Sequence, residues 1–360
     1  MLVNPDFLLE RPRGFSFRAN SVKIVRMDVL SDILRIIRIE GNLYYRTSFS
    51  KKWGIVVPRR GSVARYHLVT RGFCWVSVEG VEHPIRLESG DLIVIPHGAE
   101  HCLADDLEAP RVAVEEVIRE SGFTGEGPLI WGSEASHEPI SLICGHFSFG
   151  SEQGSLLARS LPAYIHIKHT ETLHYGWLAD AMKFIAYEAN SWQAGSEAVV
   201  NRLSEIVFVQ TVRAYAQSHQ SGAGILSALS DRQISSALEA MHRNPSFHWT
   251  VEDLARAAGM SRTLFAERMK ETLGLSPIGY LTQWRMEVAR EALADRRLSV
   301  AEVAEKVGYE SVPAFSRAFK KRFGFGPGEM RRGERGNSKK RSRPLAEEVI
   351  RHPNEPLKVR

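Results

Sequence analysis

The sequence predicts an α+β chain: a β-barrel, then a helical segment, then an all-α domain with two helix-turn-helix units. Three observations carry this. Hydrophobic residues alternate with period two between about Gly41 and Ile118, they return to helical spacing after Leu173, and the last third of the chain contains an internal copy of itself.

Taken in order, residues 1–20 are polar and Arg-containing and read as a loose arm, and MDVLSDILRII (27–37) has helical spacing and packs on the strands after it. Short strands are expected at 43–45, 53–57, 64–69, 73–78, 91–95 and 112–118, separated by Gly, Pro and charged turns. Many short strands without intervening helices point to a sandwich or small barrel. A further strand carries Cys144 and His146 on one face and Ile143, Phe147 and Phe149 on the other; simple alternation turns the apolar set inward and Cys144 outward. Trp177, Leu178, Ala181, Met182 and Ile185 then mark a helix, Gly195 interrupts it, and Val199, Leu203, Ile206, Val207 and Val212 mark a second. SHQSGAG (218–224) has the composition of a flexible linker.

The copy is the strongest signal. In SVAEVAEKVGYESVPAFSRAFKKRFGFGPGEM (299–330), Ser299 and Glu302 form a capping box, Val300, Val303, Ala304 and Val307 share one helical face, and Gly308 ends the helix. Ser311 caps a second helix with Phe315 and Phe319 inward, closed by Gly324 and Pro327. The same core, turn and stop signals run through TVEDLARAAGMSRTLFAERMKETLGLSP (250–277), where Leu254, Ala255, Ala258 and Gly259 precede the turn and Phe265, Met269, Gly274 and Pro277 come after it. Between the copies Ser276 and Pro277 start an amphipathic helix with Ile278, Leu281, Trp284, Val288 and Leu293 inward, ending near Asp295 and roughly 27 Å long. Such a rod holds two recognition helices nearly one DNA turn (about 34 Å) apart.

Residues from about Ser230 to Arg332 resemble the DNA-binding domain of the AraC/XylS transcription regulators, through "MSRTLFAERMKETLGLSP", "LSVAEVAEKVGYES", "FSRAFKKRFG" and "PGEMRR". In the first half, Gly90–His101 (GDLIVIPHGAEH) is similar to the second motif of the cupins, and "RYHLVTRGFCWVSVEG" falls where the first belongs; Gly90 and Gly98 suit turns at the ends of a strand. The resemblance implies a cupin-like sensor barrel, sequence-specific binding of double-stranded DNA and control of transcription, with RNA polymerase and a small-molecule effector as partners. The domains expected are arm and helix 1–40, sensor barrel 41–172, helical dimerisation segment of a homodimer 173–217, linker 218–229, DNA-binding domain 230–332, and a basic, disordered tail 333–360.

Carried over position by position, the family pattern places Arg262, Thr263, Ala266 and Glu267 of the first recognition helix, and Val312, Pro313, Ser316 and Arg317 of the second, at the bases. Arginine can hold guanine bidentately, glutamate can accept from cytosine, and Thr263 or Val312 can touch a thymine methyl. Lys270, Lys320, Lys321 and Arg322 are phosphate candidates. The cupin metal set is three histidines and a glutamate. Here the first motif keeps His67 but has Arg65 and Arg71 near the other positions, and the second keeps His101. That depletion argues against the alternative reading, a cupin-type metal-dependent enzyme fused to a DNA-binding module. It leaves His67, His101, Cys144 and His146 as candidates for a soft, zinc-like or redox site.

Charge agrees with this division. The net +5 conceals 25 Lys and Arg against 17 Asp and Glu from Ser230 onward, and 22 against 25 before it, so the basic half is the one with the copies. No apolar run approaches the roughly 18 residues of a membrane span, and three cysteines do not make a disulfide framework, so a cytoplasmic protein without a membrane partner is expected.

Overall fold

A computed structural model of the chain describes residues 29–37, 39–50, 52–61, 63–125, 127–132, 139–149, 157, 160–170, 176–191, 193–218 and 224–337. The expected arm and the tail beyond 337 lie outside the described residues.

Among those residues eleven strands form two sheets. One contains β1 (Ile39–Phe49), β3 (Val63–Arg71), β6 (Leu92–Ile95), β9 (Pro128–Trp131), β10 (Ile140–Phe149) and β11 (Ile165–Ile167), in the order β11-β6-β3-β10-β1-β9. The other contains β2 (Gly54–Val57), β4 (Phe73–Val78), β5 (Ile85–Glu88), β7 (His101–Ala104) and β8 (Arg111–Ala113), in the order β5-β4-β7-β2-β8. Pairing is antiparallel except for β1 with β9 and β2 with β8. Phe49, Trp53, Ile55, Val76, Leu87, Ile93 and Leu142 fill the space between the sheets.

The outer face of the six-stranded sheet is also apolar, with Tyr66, Leu68, Val94 and Phe147 buried there. Helices α3 (Gly176–Ser191) and α4 (Ser196–Ser218) cover it through Leu178, Met182, Ile185, Val200, Val207 and Phe208. Phe147 and Phe208 meet at 4.7 Å between ring centroids. The approach of α4 to β1 is unusually close: Asn201 Oδ1 accepts from Leu43 N at 3.1 Å, and a Cβ added at Gly41 would lie 2.7 Å from the Asn201 carbonyl oxygen. Only glycine fits there.

Both faces of β10 are therefore covered, and this corrects the inward–outward expectation. Ile143 and Phe147 point to the helices, while Cys144 and His146, fully buried, point into the barrel. The expected strand at 112–118 is corrected as well. It is three residues of β8 followed by helix α2 (Val114–Glu120), because Val114, Val117 and Ile118 are buried at helical spacing and Glu115 and Glu116 favour a helix first turn.

Helix α1 (Val29–Ile37) packs on the C-terminal half. Its Val29, Leu30 and Ile33 join a core with Ile234, Leu238 and Met241 of α6 (Arg232–Arg243). Arg35 reaches Glu291 at 2.9 Å, and the Asp32 carboxylate lies 3.4 Å from His242 Nδ1. His242 in turn lies flat on Trp284, ring centroids 3.6 Å apart, with its Nε2 2.7 Å from the Tyr280 hydroxyl.

Part of the expected linker 218–229 is helical. Helix α5 (Ile225–Ser230) is folded into the DNA-binding half, with Ile225 and Ala228 fully buried and Gly224 N donating to Thr272 O. The last helix runs over Pro327–Asn337, across the expected boundary at 332. Among the described residues no helix is long and apolar enough to cross a membrane.

Candidate nucleic-acid interface and barrel interior

The two helix-turn-helix units are built by the same local rules. In the first, Thr250 caps α7 (Val251–Ala257): its Oγ accepts from Asp253 N at 3.1 Å, and Asp253 Oδ2 accepts from Thr250 N at 3.2 Å. Ser261 caps the recognition helix α8 (Arg262–Leu273), and Gly274 ends it in the left-handed region. In the second, Ser299 and Glu302 make the expected capping box on α10 (Val300–Lys306), Ser311 caps the recognition helix α11 (Val312–Phe323), and Gly324 ends it. Helix α9 (Pro277–Ala294) joins them, capped by Ser276 with Pro277 in the first turn. Leu281, Trp284 and Leu293 of α9 are buried as expected; Ile278 is 39% exposed, because the helix turns that edge to solvent.

Each recognition helix buries its aromatic or thioether stripe, Phe265 and Met269 in one and Phe315 and Phe319 in the other. That fixes which side faces out. Arg262, Thr263, Glu267 and Lys270 are exposed on α8, with Ala266 half-buried; Val312, Pro313, Arg317, Lys320 and Lys321 are exposed on α11, with Ser316 half-buried. Arg322 departs from the phosphate role expected for it. Its guanidinium is 22% exposed and donates to Glu287 of α9 at 2.9 Å, a carboxylate that Arg290 also engages, so it ties α11 to α9. Arg262 Nε is 2.9 Å from Glu252 across the first turn. Sequence reasoning missed Leu264, 50% exposed on the first turn of α8, and Arg285, which donates to the backbone carbonyls of Pro245 and Phe247. Leu264 lies between the base candidates Thr263 and Ala266, which was the available signal; Arg285 had none, since its partners are backbone carbonyls.

Inside the barrel the candidate redox residues form a chain whose proton order can be deduced. The Ala99 carbonyl can only accept, so His101 Nδ1, 2.8 Å away, carries a hydrogen and its Nε2 is an acceptor. His67 Nε2, 2.8 Å from His101 Nε2, must then donate, which leaves His67 Nδ1 to accept from the Cys144 thiol at 3.1 Å. Every member is neutral. Burial holds His67 well below the usual imidazole range and His101 at about 3, and it pushes the Cys144 thiol up. His146, also buried, is lowered to about 3 by burial and then by the charges of Arg60 and Arg65.

The metal and redox candidates His67, His101 and Cys144 are brought together in this chain, but not around one point. Burial favours the Cys144 thiol over its thiolate, and Cys144 meets His67 on the nitrogen opposite the one facing His101. Among the described residues no group of three or more His, Cys, Asp or Glu side chains is arranged to hold a metal ion.

A double-sheet barrel joined through helices to a pair of helix-turn-helix units defines the class: a DNA-binding regulator with a separate N-terminal domain. Comparison with known proteins then gives the family. Residues 28–217 match the family described as Cupin, and residues 254–333 match the Helix-turn-helix domain family. A putative AraC-like transcription regulator of Streptomyces lividans is 31% identical over 315 residues, 85% of this chain and 98% of that one. The transcriptional regulator AlkR of Acinetobacter baylyi is 28% identical over 309 residues, 85% of this chain and 99% of its own. Among solved structures, the DNA-binding domain of AdpA in complex with a target DNA is 27% identical and covers 30% of this chain and 96% of its own, with a TM-score of 0.28. The chain belongs to the AraC-like transcription regulators, with a cupin N-terminal domain and an AraC-type helix-turn-helix C-terminal domain. Its relatives are named as regulators, consistent with a protein that is not an enzyme.

Proposed function

We propose that the chain binds a specific DNA sequence through both recognition helices and regulates transcription from it in the cytoplasm, acting on RNA polymerase. The observation that carries this is the matched exposure of the two helix N-termini. Arg262 and Thr263 in one, and Val312, Pro313 and Arg317 in the other, face out beside exposed Lys270, Lys320 and Lys321. Base-edge readers flanked by phosphate-binding cations are what a major-groove helix requires. Binding-site selection with the purified protein tests it. Arg317→Ala is expected to relax preference at one base position by about 1–3 kcal/mol, whereas Lys320→Ala weakens all sequences alike and lowers the salt slope by about 1. Equal losses on every sequence for Arg317→Ala remove that residue from base reading.

The protein acts as a homodimer in this reading, and α4 supports it. Val199 and Ile206 are 36% and 49% exposed, with half-buried Leu203 between them, so an apolar ridge runs along one side of the helix. Val207, expected on the same seam, faces the barrel at 3% exposure and takes no part. Sedimentation of wild type against Ile206→Glu decides the matter: dimer for the former, monomer for the latter. The barrel is the sensor half in this reading, for a small effector, metal or redox signal, and the buried Cys144–His67–His101 chain lies inside it.

A further inference from the structure

The two helix-turn-helix units are joined by more than α9. The loop that enters the first unit, residues 244–250, folds back onto α9 and onto the turn of the second unit. Arg285, in the middle of α9 and half-buried, donates from Nε to Pro245 O at 2.6 Å and from Nη2 to Phe247 O at 2.9 Å. Between those two carbonyls, Ser246 meets Gly308 in the second unit. Gly308 has φ +78°, and a Cβ there would lie 2.6 Å from Ser246 O and 2.8 Å from Arg285 Nη2. One residue further along, His248 Nε2 is 3.3 Å from Glu310, also in the second turn. The exposed His248–Glu310 pair adds little by itself. The guanidinium on two backbone carbonyls is different in kind, because charge-assisted bonds to a fixed loop resist both sliding and rotation.

We propose that Arg285 is a positioning residue for DNA recognition: by clamping the 245–247 loop against α9 and the Gly308 turn, it fixes the separation and relative rotation of the two recognition helices, and so the number of base pairs allowed between the two segments they read. The inference rests on the proposed reading of DNA by both helices. Its physical basis is the helical repeat of DNA. Adding one base pair moves a segment about 3.4 Å along the axis and turns it by roughly a tenth of a full turn, which a rigid pair of helices cannot follow. A single helix on its own, able to bend or twist about its axis, would tolerate such a change at the modest elastic cost DNA itself bears. With the clamp closed, mis-spacing is paid in lost base contacts.

The experiment uses the full chain and DNA selected by it, with the two recognised segments at their selected spacing and with one base pair added or removed. Wild type is expected to prefer the selected spacing by about ten- to a hundredfold, the loss of one or two good base contacts. Arg285→Gln is expected to bring the three spacings to within about threefold of one another while base preference inside each segment is unchanged, a pattern that general loss of structure does not produce. Arg285→Lys, which keeps a cationic donor but not the fork, is expected to fall between them. Gly308→Ala reaches the same contact from the other side and is expected to reproduce Arg285→Gln, so the inference stays open to refutation where thermal melting finds the arginine variant unfolded. An Arg285→Gln protein with wild-type melting and undiminished spacing preference overturns the inference alone. A wild type that selects no sequence overturns the DNA reading and the inference with it.

Discussion

The two helix-turn-helix units share a plan and differ in what lies behind them. The second has a core of its own, in which Met286, Ala289, Leu293, Val303, Ala304, Val307, Phe315 and Phe319 pack on one another. The first has none that is separate. Leu254, Ala255, Phe265 and Met269 belong to an apolar core that runs on through α6 to α1, α3, α4 and the outer face of the barrel. At matched positions the buried residues change little, Leu254 for Val303, Ala255 for Ala304 and Phe265 for Phe315, whereas several exposed ones change in kind, Glu252 for Ala301, Arg262 for Val312 and Glu267 for Arg317, while Lys270 and Lys320 agree. Packing therefore constrains what the copies keep, and the DNA-facing surface is where they are free to differ. The first unit is coupled to the barrel through a shared apolar core, and the second is tied to the first through α9, the Arg285 contact and the approach of Ser246 and His248 to its turn.

The largest effect that bears on this comparison comes from emptying each core. Phe315→Ala and Phe265→Ala each should cost about 3–5 kcal/mol. Hydrogen exchange distinguishes where that loss is felt: Phe315→Ala is expected to expose amides of 300–323 and spare the barrel, while Phe265→Ala also loosens α1 and α6. Identical exchange maps for the two would erase the distinction.

Acidification sharpens the contrast. His242 sits in the first unit with its pKa lowered by burial, an effect that Asp32 partly opposes, and the stretch from Leu281 to Asn337 contains no histidine. A histidine whose folded pKa lies below its unfolded value binds fewer protons when folded, so its stability is intact above about pH 6.5 and is lost as pH falls from there towards the folded value. The slope is at most about 1.4 kcal/mol per pH unit for one group. His101 and His146 in the barrel, both near 3, act in the same direction. Between pH 7 and 5.5 the barrel and first unit are expected to lose exchange protection while the second keeps it; uniform loss contradicts the division.

Helix capping should give the smallest and most even effect. Thr250→Ala and Ser299→Ala remove equivalent caps with the same reciprocal geometry, and each is expected to lower stability by about 1 kcal/mol in chemical denaturation. A much larger loss at Thr250 would mean that the shared core transmits even this local change.

Legibility in the sequence divides along the same physical lines. The copies could be read because caps, glycine exits and a 3.6-residue period are local signals, and Ser299, Glu302, Gly308, Phe315 and Gly324 all stand where they were expected. The barrel was legible as a class but not in orientation. Alternation marks the buried face of a strand only when the other face meets water, and on β10 both are covered, so the pattern could not choose between Cys144 facing His67 and His101 and Cys144 facing outward. Strands of three or four residues, such as β5, β7, β9 and β11, are too short to establish a period. Arg322 looked like a phosphate ligand because nothing in its neighbourhood announces Glu287, thirty-five positions earlier on another helix. Gly41 carried no hint of its neighbour either, since what demands glycine there is the backbone of α4.

The stack of His242 on Trp284 has an optical consequence. An imidazole lying flat on an indole at 3.6 Å is within collisional range of its excited state, and a protonated ring is the better electron acceptor. Because Asp32 of α1 stands at the other edge of that imidazole, lifting α1 away changes both the charge beside the indole and its access to water. In a variant that keeps Trp284 as the one tryptophan of the seven, its emission therefore reports, without any label, whether α1 is seated on the DNA-binding half.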